Sequence, residues 1–188
     1  MKFIGIYDNI ITQDECEIII DFYENQPNKQ PGKTGSGINS NLKDSIDVST
    51  SFSEQLGIHS IISNALNLGL DHYEMEHKSL EHADPFEIYN RFNIQKYKPG
   101  GGFKVWHDEI QPNNNKYTRI LVWMLNLNDC PDGGTMFLEQ DYILQAKSCR
   151  LSIWPAGFTH VHKGQISKTQ DKYIATGWCT YRTPENNI

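Results

Sequence analysis

At Phe86 the hydrophobic period of the chain changes from helical to two, and from there the sequence is punctuated by turn residues. Phe86, Ile88, Phe92 and Ile94 fall on one face of an extended chain, with Tyr89, Arg91, Gln95 and Tyr97 on the other. Lys98-Pro99-Gly100-Gly101-Gly102 predicts a turn, and Phe103–Glu109 a further strand. Thr118–Leu127 is apolar almost throughout, the pattern of a strand covered on both faces. Pro131-Asp132-Gly133-Gly134 reads as another turn, followed by short strands at Thr135–Leu138, Tyr142–Leu144 and Cys149–Trp154. Pro155-Ala156-Gly157 turns the chain into Thr159–His162, and Lys172–Thr180 closes the run.

Upstream the period is helical. Thr12 with Glu15 has capping-box spacing and predicts a helix over Gln13–Asn25, with Cys16, Ile19, Ile20 and Tyr23 at helical spacing. Gln26–Ser45, rich in Pro, Gly, Asn, Lys and Ser, reads as a long exposed loop. Ile46 and Val48 alternate with Asp47 and Ser49 as a short strand. Ser51 and Glu54 repeat the cap spacing ahead of an amphipathic helix carrying Leu56, Ile58, Ile61, Ile62, Ala65, Leu66 and Leu70, with a break at Gly69. Gln111–Lys116 is an Asn-rich loop. Helices followed by many short strands describe an α+β chain whose body is a β-sandwich or jelly roll. The division is a single domain over residues 1–188, with a helical N-terminal support region (1–85) and a core (86–182).

Composition removes several classes of function. A net charge of -6, with no run of Lys or Arg, excludes nucleic acid as the main partner. Cys16, Cys130, Cys149 and Cys179 lack C-x-x-C spacing, which argues against a zinc knuckle and for a reducing, cytoplasmic compartment. No apolar run reaches membrane-spanning length, so no membrane partner is expected.

The residues with chemistry lie in the second half. In a strand, His107 and Glu109 point to the same side while Asp108 points away. A later strand offering His160 or His162 would complete a set of two imidazoles and one carboxylate, the facial triad of non-haem Fe(II) oxygenases. Period-two spacing puts both later histidines on one face and does not choose between them. His59, His72, His77 and His82 read as solvated or core-edge residues. Lys172 shares a strand face with Ile174, Thr176 and Trp178. A lysine among apolar neighbours is costly unless an anion meets it. A dicarboxylate bound to iron at one end would supply that anion at the other.

Taken together, Tyr97-x-Pro99-Gly100, His107-x-Glu109, Arg119, Leu125-Asn126, Gly133-Gly134-Thr135-x-Phe137, Pro155-x-Gly157, His162-x-Gly164, Lys172-Tyr173 and Trp178 carry a resemblance. Over Tyr89–Tyr181 the chain resembles the Fe(II)/2-oxoglutarate-dependent dioxygenases of the prolyl 4-hydroxylase type. The resemblance implies a double-stranded β-helix (jelly roll) core with N-terminal flanking helices. It implies His107, Glu109 and His162 as iron ligands, His162 being favoured over His160 by the His-x-Gly motif and the ten-residue spacing to Lys172. Lys172 would meet the distal carboxylate of 2-oxoglutarate, with Tyr97 and Thr176 in support. Trp178, Trp123 and His160 would stand around the pocket, and Arg91 and Arg119 would face substrate. The implied cofactors are Fe(II), 2-oxoglutarate and O2, with ascorbate as a candidate reductant. The implied reaction hydroxylates a C–H bond of a peptide or protein, a prolyl residue being the best-known target, or of a small molecule, and releases succinate and CO2.

Two departures from the family pattern stand out. Glu109 replaces the usual aspartate, and Gly133-Gly134-Thr135 is one residue shorter than the usual Gly-Gly-Glu-Thr. Two rival readings are a cupin-like metal enzyme that does not use 2-oxoglutarate and a non-catalytic jelly-roll binding protein. The cupin pattern needs a glutamate soon after His-x-His, and Lys163-Gly164-Gln165-Ile166-Ser167 provides none.

Overall fold

The structure is a computed structural model that describes residues 2–54, 57–110 and 118–182. A short strand β1 (Gly5–Tyr7) leads into α1 (Gln13–Glu24). The Thr12 hydroxyl accepts from the Glu15 amide at 3.2 Å, and the Glu15 carboxylate accepts from the Thr12 amide at 2.8 Å. This is the reciprocal cap that the sequence spacing calls for. Cys16, Ile19 and Tyr23 form the buried face.

Residues 26–45 are more than an exposed loop. They carry β2 (Gln30–Pro31), β3 (Lys33–Thr34), β4 (Gly37–Ile38) and β5 (Lys43–Asp44), and Lys43 and Ser45 are buried. After β6 (Ile46–Ser51) the Glu54 carboxylate accepts from the Ser51 amide, but a 3-10 turn over Phe52–Glu54 intervenes before α2 (Gly57–Glu76). Leu56 lies outside the described residues. The helix runs unbroken through Gly69, where a break was expected. A Cβ there would sit 2.3 Å from a Leu151 methyl, so the glycine serves close packing of α2 on the sheet.

The β region comprises β7 (Phe86–Ile88), β8 (Arg91–Tyr97), β9 (Gly102–Phe103), β10 (Arg119–Asn126), β11 (Cys130–Phe137), β12 (Tyr142–Ala146), β13 (Arg150–Pro155), β14 (His162–Gly164) and β15 (Lys172–Tyr181). The major sheet runs β1-β13-β10-β15-β8-β6-β2, with β7 on β15, and the minor sheet β12-β11-β14. The major sheet therefore draws strands from both sides of residue 86. The architecture is a double-stranded β-helix with helices on the outer face of its major sheet.

Alternation along β10 explains why it is apolar throughout. Leu121, Trp123 and Leu125 face the helices and pack with Ile62, Leu66, Phe92 and Leu151, while Val122 and Met124 face inward with Phe137, Trp154 and Ile174. Among the described residues no helix is long and apolar enough to cross a membrane.

Three local expectations are corrected. Phe103–Glu109 is not a strand: only Gly102–Phe103 pairs, with β5, and thereafter a lone bridge joins His107 to His162. Pro131–Gly134 does not turn the chain. It lies within β11, whose register on β12 shifts between Cys130 and Thr135, because a bulge absorbs the glycine pair without ending the strand. Thr159–His162 begins as a 3-10 turn over Phe158–His160 and becomes a strand only at His162. The Asn-rich segment 111–116 lies outside the described residues.

Gly177 on β15 sits opposite Trp123, and a Cβ added there would lie 2.6 Å from the indole ring. That ring is 1% exposed and cannot swing aside. Gly177→Ala should therefore cost about 1–3 kcal/mol of stability by overpacking. Denaturant unfolding would show this, and an unchanged midpoint would contradict the packing described.

Candidate active site

His107 and His162 are tied together through the backbone. Their amides and carbonyls exchange hydrogen bonds of 3.0 and 2.9 Å, and the Glu109 amide donates to the Ala156 carbonyl at 3.0 Å. These main-chain bonds, rather than strand alternation, bring the three side chains together. His107 Nδ1 lies 3.0 Å from the Val105 carbonyl, and His162 Nδ1 lies 2.9 Å from the His160 carbonyl. A carbonyl only accepts, so both Nδ1 atoms carry the proton and both Nε2 atoms present lone pairs. Phe103 stacks on His107 with ring centroids 3.6 Å apart, and Trp154 meets His162 edge-on at 5.1 Å.

Glu109 divides its oxygens between two tasks. Oε1 lies 3.5 Å from His107 Nε2 and 3.9 Å from His162 Nε2. Oε2 accepts from Arg119 Nη1 and from Trp178 Nε1, each at 3.1 Å. Arg119 also donates to the Glu109 carbonyl at 2.9 Å and lies 3.5 Å over the Trp178 ring. Burial alone would raise the Glu109 carboxyl, but the polar and charged neighbours His107, His162 and Arg119 bring it down to about 2. Burial, aided by His107, pushes the His162 imidazole down to about 4, so it is neutral at ordinary pH. One ligand atom from each of His107, Glu109 and His162 falls within 4.8 Å of the others. A carboxylate and two imidazoles suit a ferrous ion, so the residues fit that metal.

These side chains line a cavity of about 1080 Å³. Its wall also carries Lys172, Tyr97, Thr176, Asp47 and Gln95. Lys172 is 7% exposed and meets no carboxylate among the described residues; burial pulls its ammonium down to about 8. An unpaired buried cation at a cavity wall is the complement of an anionic ligand. Tyr97 lies directly across the sheet from Lys172. Its hydroxyl donates to Gln95 at 2.6 Å, and the Thr176 hydroxyl donates to the Trp123 carbonyl at 2.7 Å.

Comparison with known proteins now bears on this geometry. Residues 92–180 match the family model of the 2OG-Fe(II) oxygenase superfamily. That stretch is a 2OG-Fe(II) oxygenase domain. Its cofactors are accordingly Fe(II) and 2-oxoglutarate, with O2 as the oxidant. No curated protein matches the sequence. Among solved structures, the fold resembles the viral collagen prolyl hydroxylase of Paramecium bursaria Chlorella virus-1 in its 2OG complex. The TM-score is 0.70 at 17% identity, covering 96% of this chain and 97% of the other. A Pseudomonas putida prolyl-4-hydroxylase gives 0.70 at 13% identity, covering 95% and 92%. A Trichoplax adhaerens prolyl hydroxylase, bound to a hypoxia inducible factor peptide fragment, gives 0.69 at 12%, covering 96% and 84%.

In this oxygenase several side chains stand elsewhere than the resemblance implied. Trp123 faces the helices and packs on Phe92, one residue out of phase with the cavity face of β10. His160 points away from the cavity: Nε2 donates to the Lys2 carbonyl at 3.3 Å and Nδ1 pairs with Thr159. Arg91 is exposed and outside the cavity. Arg119 does line it, but its guanidinium is engaged by Glu109 rather than held out for substrate. The residues that sequence reasoning missed are Phe103, Trp154 and the buried group Lys43, Asp47 and Gln95. The only signal for Asp47 was an acid on the alternate face of a short strand.

The arrangement makes a clean distinction between the two late histidines. His160→Ala should bind one Fe(II) per chain like the parent, whereas His162→Ala should weaken binding by about tenfold or more. Anaerobic equilibrium dialysis would measure both, and equal loss in the two variants would contradict the assignment.

Proposed function

We propose that the oxygenase hydroxylates a side chain of an extended peptide, with prolyl residues the first class to test. Three donor atoms converging on one point, with a buried lysine on the same cavity wall that meets no carboxylate among the described residues, carry the hydroxylase part of this reading. His107 Nε2, Glu109 Oε1 and His162 Nε2 would hold the iron. Lys172 would pair with the distal carboxylate of 2-oxoglutarate, with Tyr97 and Thr176 beside it. When bound, iron, 2-oxoglutarate and O2 supply the oxidising power, and the cosubstrate leaves as succinate and CO2. The chain keeps Glu109 ionised and the His162 imidazole neutral, and encloses the reacting region with Val122, Met124, Trp154 and Ile174. Peptide substrates are favoured by likeness to a collagen prolyl hydroxylase and to an enzyme bound to a peptide fragment. Four free, buried cysteines support the cytoplasmic placement.

The direct test is turnover of proline-containing peptides with Fe(II), 2-oxoglutarate and O2. One succinate should form per peptide gaining one oxygen atom by mass. Succinate release with no proline peptide modified would redirect the search to other substrates, and no succinate under any condition would refute the reading.

Lys172 adds a pH dependence. A 2-oxoglutarate dianion binds the protonated ammonium, whose pKa in the empty protein is about 8. Affinity should be flat below pH 8 and fall above it, approaching about tenfold per pH unit. Lys172→Met should bind weakly and lose that dependence; a retained dependence would move the titration to another group.

A further inference from the structure

Asp47 on β6 lies directly across from Gln95 on β8, and Tyr97, two residues along β8, lies across from Lys172 on β15. This row spans three strands of the cavity wall. Asp47, the one acid in this row, is fully engaged. Lys43 Nζ donates to Oδ2 at 2.7 Å, the Ser45 hydroxyl donates to Oδ1 at 2.7 Å, and Gln95 Nε2 donates to Oδ2 at 3.3 Å. A carboxylate only accepts, so the NH2 of Gln95 must face it. The Gln95 carbonyl is thereby turned to Tyr97, whose hydroxyl donates to it at 2.6 Å. A phenol has one proton. Spent on Gln95, Tyr97 can offer the cavity only lone pairs, and a 2-oxoglutarate oxygen needs a donor.

We propose that Asp47, acting through Gln95, holds the Tyr97 proton away from the cavity, so that Asp47 and Gln95 are positioning residues that set the affinity for 2-oxoglutarate. The inference rests on the cosubstrate placement proposed above. In the resting enzyme Lys172 is then the donor that meets the cosubstrate, and Tyr97 contributes only if its bond to Gln95 is broken. Lys43 connects this control to residues 26–45. Its strand β5 pairs with Phe103, the residue stacked on His107, and its stem packs against Gly32, where a Cβ would lie 3.0 Å from Lys43 Cε. Burial and the Asp47 charge both raise the Tyr97 hydroxyl pKa, so the group stays protonated and the question is only where the proton points.

The test is an anaerobic titration of the Fe(II)-loaded enzyme with 2-oxoglutarate, followed by the visible metal-to-ligand charge-transfer band. Gln95→Met removes the acceptor without changing charge, and should tighten 2-oxoglutarate by about fivefold, the worth of one released hydrogen bond. Tyr97→Phe alone should change affinity by less than about twofold, since its proton is already committed. Tyr97→Phe added to Gln95→Met should erase the gain. A second route avoids substitution at Gln95. Lys43→Met with Asp47→Asn preserves net charge, frees the Gln95 amide to turn, and should tighten binding in the same direction. A loss of tenfold or more in Tyr97→Phe alone would overturn the proposal, as would unchanged or weaker binding in both the Gln95 variant and the neutral pair. Absence of the band in the parent enzyme would instead remove the cosubstrate placement, and this inference with it.

Discussion

The site depends on the way the Glu109 carboxylate is divided. One oxygen faces two imidazole lone pairs, and the other is held by a guanidinium and an indole N–H. A glutamate has one more rotatable bond than the aspartate usual at this position, and a free glutamate would swing or chelate through both oxygens. Arg119 and Trp178 remove that freedom. They sit on adjacent paired strands, β10 and β15, and stack on each other, so the clamp is part of the major sheet. Charge-assisted bonds of this kind are strong and directional. The substitution of Glu for Asp is therefore compensated by side chains that the same fold already brings together.

A second constraint is the placement of positive charge. Lys43, Arg119 and Lys172 all face the cavity. Lys43 is matched by Asp47 and Arg119 by Glu109, each through short contacts in poorly solvated surroundings. Of these three, Lys172 is the one that meets no acid among the described residues. Leaving a buried ammonium unmatched costs stability, and the lowered pKa of Lys172 is the sign of that cost. A dianionic cosubstrate placed on Lys172, as proposed, would recover it. The Tyr97 and Thr176 hydroxyls on the same wall have their protons directed at protein acceptors.

Much of this was legible in the sequence, for reasons that differ by residue. The capping box at Thr12 and Glu15 and the doubly buried strand at Thr118–Leu127 follow from local rules, and both appear as read. Alternation pointed to Glu109 rather than Asp108, and Glu109 stands in the cluster with the two histidines, but the chain there is not a strand; the Asp108 carboxylate instead caps the Ile110 amide. The three donors converge because backbone bonds to His162 and Ala156 hold residues 107–109, and such long-range pairing leaves no local signature. His160 could not be separated from His162 by period two because a 3-10 turn, not a strand, carries His160. Trp123 was misplaced for the opposite reason: alternation on β10 does apply, and it sends Trp123 to the helical side. Arg119 was read as facing substrate because nothing in the sequence shows that its partner is the carboxylate ten residues earlier. The Lys43–Asp47–Gln95–Tyr97 row was invisible, since it forms only when β6, β8 and β15 pair in register.

The measurement closest to the central claim is an anaerobic crystal structure of the enzyme with Fe(II) and 2-oxoglutarate. The account predicts iron bound by His107 Nε2, His162 Nε2 and Glu109 Oε1 alone, with Arg119 and Trp178 still hydrogen-bonded to Oε2 and the distal carboxylate of the cosubstrate on Lys172. Iron bound through both Glu109 oxygens, or a cosubstrate turned away from Lys172, would contradict it.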